Sequence, residues 1–214
     1  MRCAPVLLFA ALLAGCAEMR EPPPLSRVPP GLGVVSPDPV PAMAADAAAA
    51  LAGGGQALAG RPGVTARAIG QLELVTAEFS TNARWAPVPP AVTAQMRAAR
   101  AEWRSAIGIR DAAAPVAVAT ALGRVSIAMA ANDSRSASTS LDAAVFDPGG
   151  APNLARLAAP GPLPETAIAA SLASQAAEAV RARALSGPIG ALDPDAGRVV
   201  MPGGPGSEGL PTLR

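Results

Sequence analysis

Apolar residues recur with the period of an amphipathic helix in the middle of the chain. After Pro62 they are spaced four, three and four residues apart, and after Pro90 a similar spacing continues as far as Gly108. Residues three and four apart lie on one face of an α-helix, so each set forms a single apolar stripe. The first stripe comprises Ala68, Leu72, Val75 and Phe79, and the second comprises Val92, Met96, Ala99, Trp103 and Ile107. The pattern predicts two amphipathic helices, with Gly108 as the C-cap of the second.

Two further long helices are indicated by low polarity as much as by periodicity. Residues 112–131 contain Arg124 as their only charge and follow Asp111, an N-cap candidate, and this helix is expected to be the most buried. Pro164 begins another helix that runs to about Leu185. The predicted inward-facing residues of this last helix are Ile168, Leu172, Ala176 and Ala179.

Shorter helices are expected at three places. An alanine-rich helix begins at Pro41 and ends at the glycines of residues 53–55, and brief helices are predicted over residues 141–146 and 154–158. The serine-rich segment 132–140 is predicted to be a turn. No stretch alternates apolar and polar residues with the period of a β-strand. The predicted fold class is therefore all-α, a small helical bundle of about four main helices with several short ones.

The N-terminal residues have the form of a secretory signal. A positive start precedes an apolar run over residues 4–14, and these eleven residues are fewer than the roughly 20 needed to span a bilayer. The run leads into Leu13, Ala14, Gly15 and Cys16, which resemble the lipobox of bacterial lipoproteins. The resemblance covers the first sixteen residues and identifies a processing class rather than an activity.

The resemblance implies a lipid-anchored protein of the bacterial cell envelope. Cleavage before Cys16 would leave a mature chain whose thiol carries diacylglycerol and whose amine carries an N-acyl group such as palmitate. Two or three acyl chains hold a protein on a membrane durably, whereas one binds only marginally. Ala17 in place of aspartate favours the outer membrane, with the protein facing the periplasm. Cys3 would leave with the signal, so the mature chain would form no internal disulfide.

Composition divides the rest of the chain into three parts. Residues 17–41 contain eight prolines, a density that prevents regular structure and favours an extended tether. Residues 187–214 contain five prolines and seven glycines and are expected to form a disordered tail. The predicted organisation is a lipoprotein signal peptide over residues 1–15, a lipidated cysteine and proline-rich tether over 16–41, an alanine-rich helical domain over 42–186, and the tail over 187–214.

Charge and residue content restrict the functional classes. From Cys16 onward the chain has sixteen arginines and sixteen acidic residues, and this balance argues against nucleic-acid binding, which relies on clustered positive charge. The sequence has no histidine, lysine or tyrosine, so the imidazole base, the Schiff-base amine and the phenolic acid are all missing. Histidine and cysteine metal clusters are excluded for the same reason. We expect no enzyme activity, no catalytic residue, no metal, and no cofactor other than the lipid on Cys16.

The candidate interaction surface is cationic. Arg97, Arg100 and Arg104 are spaced three and four apart and form a stripe beside the apolar face of their helix, with Arg84 and Trp85 in the preceding loop. Arginines next to an exposed tryptophan could recognise phosphate or carboxylate groups of a lipid, a glycan or an envelope protein.

The alternative is an ordinary solvated face in which the arginines pair with nearby acids and both tryptophans belong to the core. On that interpretation, changing the three stripe arginines to glutamine should cost less than about 1 kcal/mol. Glu73 and Glu78 are not expected to form a catalytic pair, because they fall on different sides of their helix, and both are expected to be surface charges.

Two functions fit these features. The first is a non-catalytic envelope lipoprotein that presents a helical domain for interaction or structural support in the periplasm. The second is a carrier of lipid or another small apolar molecule, with a pocket between alanine-lined helices. An enclosed cavity walled by Val, Leu and Met would favour the carrier, and a filled core would favour the accessory protein.

Overall fold

The computed structural model describes residues 28–34 and 36–186, and in this part of the chain every regular element is helical. Seven α-helices are described there, and two short 3₁₀ segments cover Ala52–Leu58 and Ala83–Trp85. An isolated bridge between Ile109 and Phe146 is the only β-type pairing recorded among these residues. The prediction of an all-α fold is confirmed. The helices are α1 (Pro39–Leu51), α2 (Pro62–Thr81), α3 (Pro90–Ile107), α4 (Pro115–Ala130), α5 (Ser134–Thr139), α6 (Gly150–Ala158) and α7 (Pro164–Ser186).

Proline and glycine set the helix boundaries. Five of the helices, all except α5 and α6, begin at a proline, where a missing N–H costs nothing because the first-turn amides have no partner within the helix. Gly108 ends α3 with φ of 79°, and its N–H donates to the carbonyl of Arg104, as the predicted C-cap requires. Asp111, by contrast, does not cap α4. The N-cap of α4 is Ala114, whose side chain makes no capping bond, and Pro115 alone begins the helix.

The centre of the bundle is α2 rather than α4. Helix α2 packs against α4 on one side and α1 on the other and also contacts α3 and α6, while α7 lies across α1 and α3. Twelve α2 residues are buried, compared with seven in α4, and Arg124 on α4 is exposed. The expectation that α4 is the most buried helix is therefore wrong. Low charge does not force burial when a helix lies at the side of a bundle and leaves one face without a neighbour.

The buried face of α7 also differs from the prediction. Ile168 is 52% exposed and Ala179 is exposed, whereas Ala176 is buried as expected. The inward residues of α7 are mostly small: Thr166, Ala169, Ala170, Ala173, Ala176, Ala177 and Val180. They pack on α1, which is itself rich in alanine. Alanine on both helices allows their backbones to approach closely, and larger side chains such as Ile168 and Leu172 are displaced from that seam.

Between α4 and α6 the segment predicted to be a turn forms a helix, and the segment predicted to be a short helix forms turns. Residues 134–139 form α5, because the carboxylate of Asp133 accepts a 2.9 Å hydrogen bond from the N–H of Ser136 and caps the first turn. Residues 141–146 form turns instead, in which the side chain of Asp142 accepts from the N–H of Ala144 at 2.7 Å. Helix α6 starts at Gly150, four residues before the predicted start at 154, and ends at Ala158 as expected.

The packed body begins before the predicted domain boundary at residue 42. Residues 28–34, which we call the N-terminal clasp, lie against α2 and α4, and the side chain of Leu32 is fully buried. The carbonyl of Leu32 accepts a 3.0 Å hydrogen bond from Nε2 of Gln71, and the same amide group donates to Asp46 at 2.9 Å. Part of the segment predicted to be a free tether is therefore held on the bundle.

Three glycines make room for the clasp. A Cβ at Gly123 of α4 would lie 2.3 Å from the carbonyl oxygen of Pro30, and one at Gly70 of α2 would lie 2.8 Å from a methyl carbon of Leu32. Gly31 has φ of 86°, and a Cβ at this residue would come equally close to the backbone of Gly123. Contact between backbones at this crossing requires glycine, because any side chain would push the two segments apart.

We expect Gly123→Ala to release the clasp. The new methyl group has no space beside the Pro30 carbonyl, so Leu32 should leave its site, with a loss of about 1.5–3 kcal/mol for the exposed leucine. Amide hydrogen exchange in a peptide covering residues 28–38 should become much faster. Gly33→Ala is the matched control, because a Cβ at Gly33 meets nothing within 4 Å. Equal exchange in the two variants would contradict the glycine crossing as the feature that holds the segment.

Candidate functional site

The arginines of the predicted stripe lie at three different depths. Arg97 is exposed and its Nε donates only to the backbone carbonyl of Thr93 at 3.4 Å. The side chain of Arg100 retains 26% exposure, and that of Arg104 retains 6%. The expectation of one continuous surface of three arginines is therefore wrong, because Arg104 points into the bundle. Arg104 points inward because its guanidinium pairs with the carboxylate of Glu73 on α2.

Glu73 occupies the centre of a buried ion cluster. Its side chain is fully buried on α2 and faces α3, where Arg104 donates to its two oxygens with Nε and Nη2, each at 2.8 Å. Arg100 donates to Oε2 at 2.6 and 3.1 Å, and the indole N–H of Trp103 donates to Oε1 at 2.9 Å. Glu73 is therefore not the surface charge that the sequence suggested. Glu78 is only half-buried, which is closer to the predicted surface position. It nevertheless accepts hydrogen bonds from Asn82 and Trp85.

Arg104 also holds the loop between α3 and α4. Its Nη1 donates to the carbonyls of Arg110 and Asp111 at 3.1 and 2.9 Å, and its Nη2 donates to the carbonyl of Ala113 at 3.0 Å. The guanidinium thus uses its fork of donors on one carboxylate and three carbonyls, which a lysine could not do with a single ammonium. The arrangement is a structural connection between α2, α3 and the loop 108–114.

The electrostatics of the cluster favour the ionised carboxylate. Burial disfavours the charged form of Glu73, but the hydrogen bonds from Arg104, Arg100 and Trp103 outweigh it, and they hold the pKa of Glu73 below its usual value of 4.5. With its oxygens occupied by these donors, Glu73 has no free geometry for accepting a proton from a bound molecule. The cluster therefore joins α2 to α3 through buried, charged hydrogen bonds.

The loop pair Arg84 and Trp85 is placed differently from the predicted exposed site. Trp85 is 1% exposed and packs on Phe79, with ring centroids 5.2 Å apart, so both tryptophans of the chain belong to the core. The guanidinium of Arg84 covers the Trp85 ring at 4.6 Å and forms an ion pair with Asp38, where Nη1 and Oδ1 are 3.0 Å apart. Arg84 is thus engaged by neighbours on two sides.

One groove is lined by two of the five residues predicted for the interaction surface. Arg97 and Trp85 line an open depression of about 300 Å³ beside Phe79 and Val88. Phe79, Trp85 and Val88 are almost fully buried beneath it, so the exposed guanidinium of Arg97 is the group that can meet a carboxylate or phosphate there. Of the five residues predicted for an interaction surface, Arg97 is the one whose side chain is fully available.

Helix α4 presents an exposed apolar stripe that the sequence analysis missed. Val116 is 58% exposed and Ile127 is 49% exposed, and both lie on the side of α4 that faces away from α2. Arg124 lies between them and forms no ion pair with any residue that the structure describes. The spacing of residues 116, 120, 124 and 127 signals one helix face. The low charge of the helix, by contrast, predicts burial, and the structure leaves this face open.

The cavities are open depressions on the surface of the bundle. Four of them have volumes of about 400, 300, 360 and 420 Å³, and each communicates with solvent along one side. The one of about 420 Å³ lies between α1 and α7 and is lined by Ala48, Ala52, Gly53, Ala167, Ile168, Ser171 and Leu172. The large side chains Trp103, Phe146 and Leu72 fill the interior. None of the four depressions is an enclosed chamber of the kind predicted for a carrier.

Neither metal-ligating groups nor membrane spans are found in the described part of the chain. Over residues 28–34 and 36–186, no three His, Cys, Asp or Glu side chains lie together in a way that could hold a metal ion. Within the same ranges no helix is both long enough and apolar enough to cross a bilayer. Cys16 with its lipobox, the first part of the predicted tether and the tail over residues 187–214 lie outside the described residues.

Comparison of the chain with protein-family models, with curated proteins and with solved structures gave no match, so functional inference rests on the residues themselves.

Proposed function

We propose that the protein is a non-catalytic lipoprotein of the bacterial cell envelope, anchored by acyl chains on Cys16, which presents its helical bundle for interaction or structural support. The observation that carries the proposal is the apolar run over residues 4–14 that leads into Leu13, Ala14, Gly15 and Cys16. By the same resemblance, the anchored chain belongs to the outer membrane and faces the periplasm. Its partners are the membrane and an envelope protein.

The position of the bundle along the chain supports a surface role. The clasp begins at Val28, twelve residues after Cys16. Twelve extended residues reach at most about 40 Å, so the bundle would stay close to the lipid surface. A folded body held there by a short connection meets neighbouring envelope proteins at a high effective concentration without needing strong contacts.

The chemistry of the bundle favours an accessory protein over an enzyme. Glu73 is enclosed by Arg100, Trp103 and Arg104, so this buried carboxylate on α2 has no room for a substrate. Acid–base catalysis needs a titratable group within hydrogen-bond reach of a bound molecule. The exposed Arg97, which lines an open depression, fits recognition of an anionic group better than it fits catalysis.

A carrier of small apolar molecules remains the alternative, and the groove between α1 and α7 is the observation that favours it. Its walls are apolar, and Ile168 and Leu172 border it. An open groove leaves much of a bound acyl chain in water, whereas ligand pockets usually bury most of their ligand. The filled core therefore supports the accessory role more than the carrier role.

Replacing Cys16 with serine tests the anchor. We expect Cys16→Ser to lose incorporation of labelled palmitate completely, because the hydroxyl replaces the thiol that would form the thioether. Cys3→Ser is the matched control, since Cys3 lies inside the proposed signal and should leave labelling unchanged. Palmitate incorporation by Cys16→Ser at the level of the unsubstituted protein would refute the lipoprotein assignment.

A further inference from the structure

The outer face of α4 forms a continuous stripe of low polarity. Val116, Thr120, Arg124 and Ile127 are spaced four, four and three residues apart, which places them one above another on the helix. The hydroxyl of Thr120 donates to the carbonyl of Val116 at 2.7 Å, so its hydrogen is already satisfied by the helix. Helix α4 has no acidic residue, and Arg124 is its only charge. We call these four residues the α4 stripe.

The clasp crosses α4 beside this stripe. Gly31 of the clasp crosses α4 at Gly123, and a Cβ built on Gly31 would lie 3.0 Å from Cγ1 of Ile127. The clasp is fixed there by the buried Leu32 and by the hydrogen bond from Gln71. Val28, where the described chain begins, is three residues from this crossing and therefore lies within about 11 Å of the edge of the α4 stripe.

The length of the connection limits which face can meet the lipid. From Val28 back to Cys16 the chain spans at most about 40 Å, and only when it is fully extended. A domain of this size has a diameter of roughly 40 Å. To turn α7 toward the lipid, the connection would have to pass around the bundle at nearly full extension, with a large loss of conformational entropy. To turn α4 toward the lipid, it needs only a small part of its reach.

We propose that the α4 stripe is a lipid-facing surface, which rests on the interface of the bilayer that holds Cys16. This inference depends on the proposed lipid anchor. Val116 and Ile127 enter the boundary between headgroups and acyl chains, and Arg124 extends along the surface to bind lipid phosphate. Two aliphatic side chains and one charge bind too weakly to hold a free protein. They orient an anchored protein, because the anchor supplies the effective concentration.

This orientation gives the other side of the bundle a defined direction. Helix α7, which packs on α1 and α3 rather than on α4, then faces away from the membrane. The groove between α1 and α7 becomes accessible to proteins in the periplasm. The clasp thus has a function beyond stability: it determines which surface the anchor presents to the lipid and which it presents to partners.

Depth-dependent fluorescence quenching tests the orientation. The acylated protein is reconstituted in vesicles of phosphatidylethanolamine and phosphatidylglycerol that contain nitroxide-labelled lipid. Because the mature chain would have Cys16 as its sole cysteine, and this is acylated, Thr120→Cys supplies a unique thiol for a fluorophore on the α4 stripe. Ser171→Cys on α7 is the matched control and also reports on the rival apolar surface beside Ile168. We expect several-fold stronger quenching at residue 120 than at residue 171.

A second pair of substitutions tests the chemistry of the contact. Val116→Asn with Ile127→Asn, in the Thr120→Cys background, should reduce the quenching at residue 120 to the level of the control. Both side chains are exposed, so the fold should not change, and circular dichroism checks this. Arg124→Glu should weaken quenching in vesicles with phosphatidylglycerol more than in vesicles of phosphatidylcholine alone, because the added charge repels anionic lipid.

Flotation of the same vesicles separates the two proposals. Protein that fails to float with the vesicles overturns the lipid anchor and this inference together. Protein that floats but shows equal quenching at residues 120 and 171, or stronger quenching at residue 171, overturns the lipid-facing stripe alone. Shielding of residue 120 in intact cells but not in vesicles would assign the stripe to a protein partner and would also overturn it.

Discussion

Arg104→Gln is expected to lower the free energy of unfolding by about 3–5 kcal/mol, the usual cost of breaking a buried ion pair. The substitution removes the charge that lies 2.8 Å from both oxygens of Glu73. It also leaves the carbonyls of residues 110, 111 and 113 without the guanidinium that they share. Chemical denaturation at neutral pH measures the loss. The change should also loosen the loop between α3 and α4, which Arg104 holds.

Arg97→Gln is the matched control for this prediction. The same substitution on the same helix removes an exposed arginine, so the change in stability should stay within about 0.5 kcal/mol. Equal stability of the two variants would show that the cluster around Glu73 contributes nothing to folding. The solvated-face interpretation, with less than about 1 kcal/mol for three arginines together, is inconsistent with the burial of Arg104.

The effect of Arg104 should depend on pH in a defined direction. Because the pKa of Glu73 is lowered in the folded state, its contribution to stability is complete above about pH 4.5 and is lost as the pH falls through the lowered pKa. The unsubstituted protein should therefore lose stability in acid more steeply than Arg104→Gln, and the difference between them should shrink. Arg97→Gln should follow the unsubstituted protein throughout.

Trp103→Ala is expected to cost about 3–5 kcal/mol, which is typical for removing a large aromatic side chain from a core. Trp103 is fully buried on α3, in a chain whose aromatic content is 2%. The space would be hard to fill, since α7, which packs on α3, presents mainly alanine, and alanine cannot extend into a cavity. Thermal unfolding measures the loss, and we expect the variant to be largely unfolded at growth temperature.

Trp103→Phe separates packing from hydrogen bonding. Phenylalanine keeps most of the apolar volume but lacks the indole N–H that donates to Glu73 at 2.9 Å. The expected cost is about 1–2 kcal/mol, well below that of alanine. Because Trp103 and Arg104 share Glu73, the double variant of Trp103→Phe and Arg104→Gln should lose less than the two losses added together. Strict additivity would show that the two donors act independently.

The sequence by itself determined the long helices and several of their ends. Prolines mark the start of α2, α3 and α7 because they are tolerated in the first turn, and Gly108 ends α3 because it adopts a positive φ without cost. The stripe from Ala68 to Phe79 is buried throughout, as its spacing predicted. These features are local: each depends on the geometry of one helix and the residues at its ends.

Tertiary structure decided which residues meet. Glu73 and Arg104 are thirty-one positions apart, and nothing in either helix pattern indicates that α2 would turn this carboxylate toward α3. The alanines of α1 decided which side of α7 is buried. Small residues on both helices let the backbones approach closely, and larger side chains on α7 would keep them apart. The clasp depends on Gly70 and Gly123, which come from different helices and make a site for Leu32 only after those helices pack. Pairings of this kind arise from the shape of the assembled bundle, and a helical period read along one segment contains no information about its neighbour.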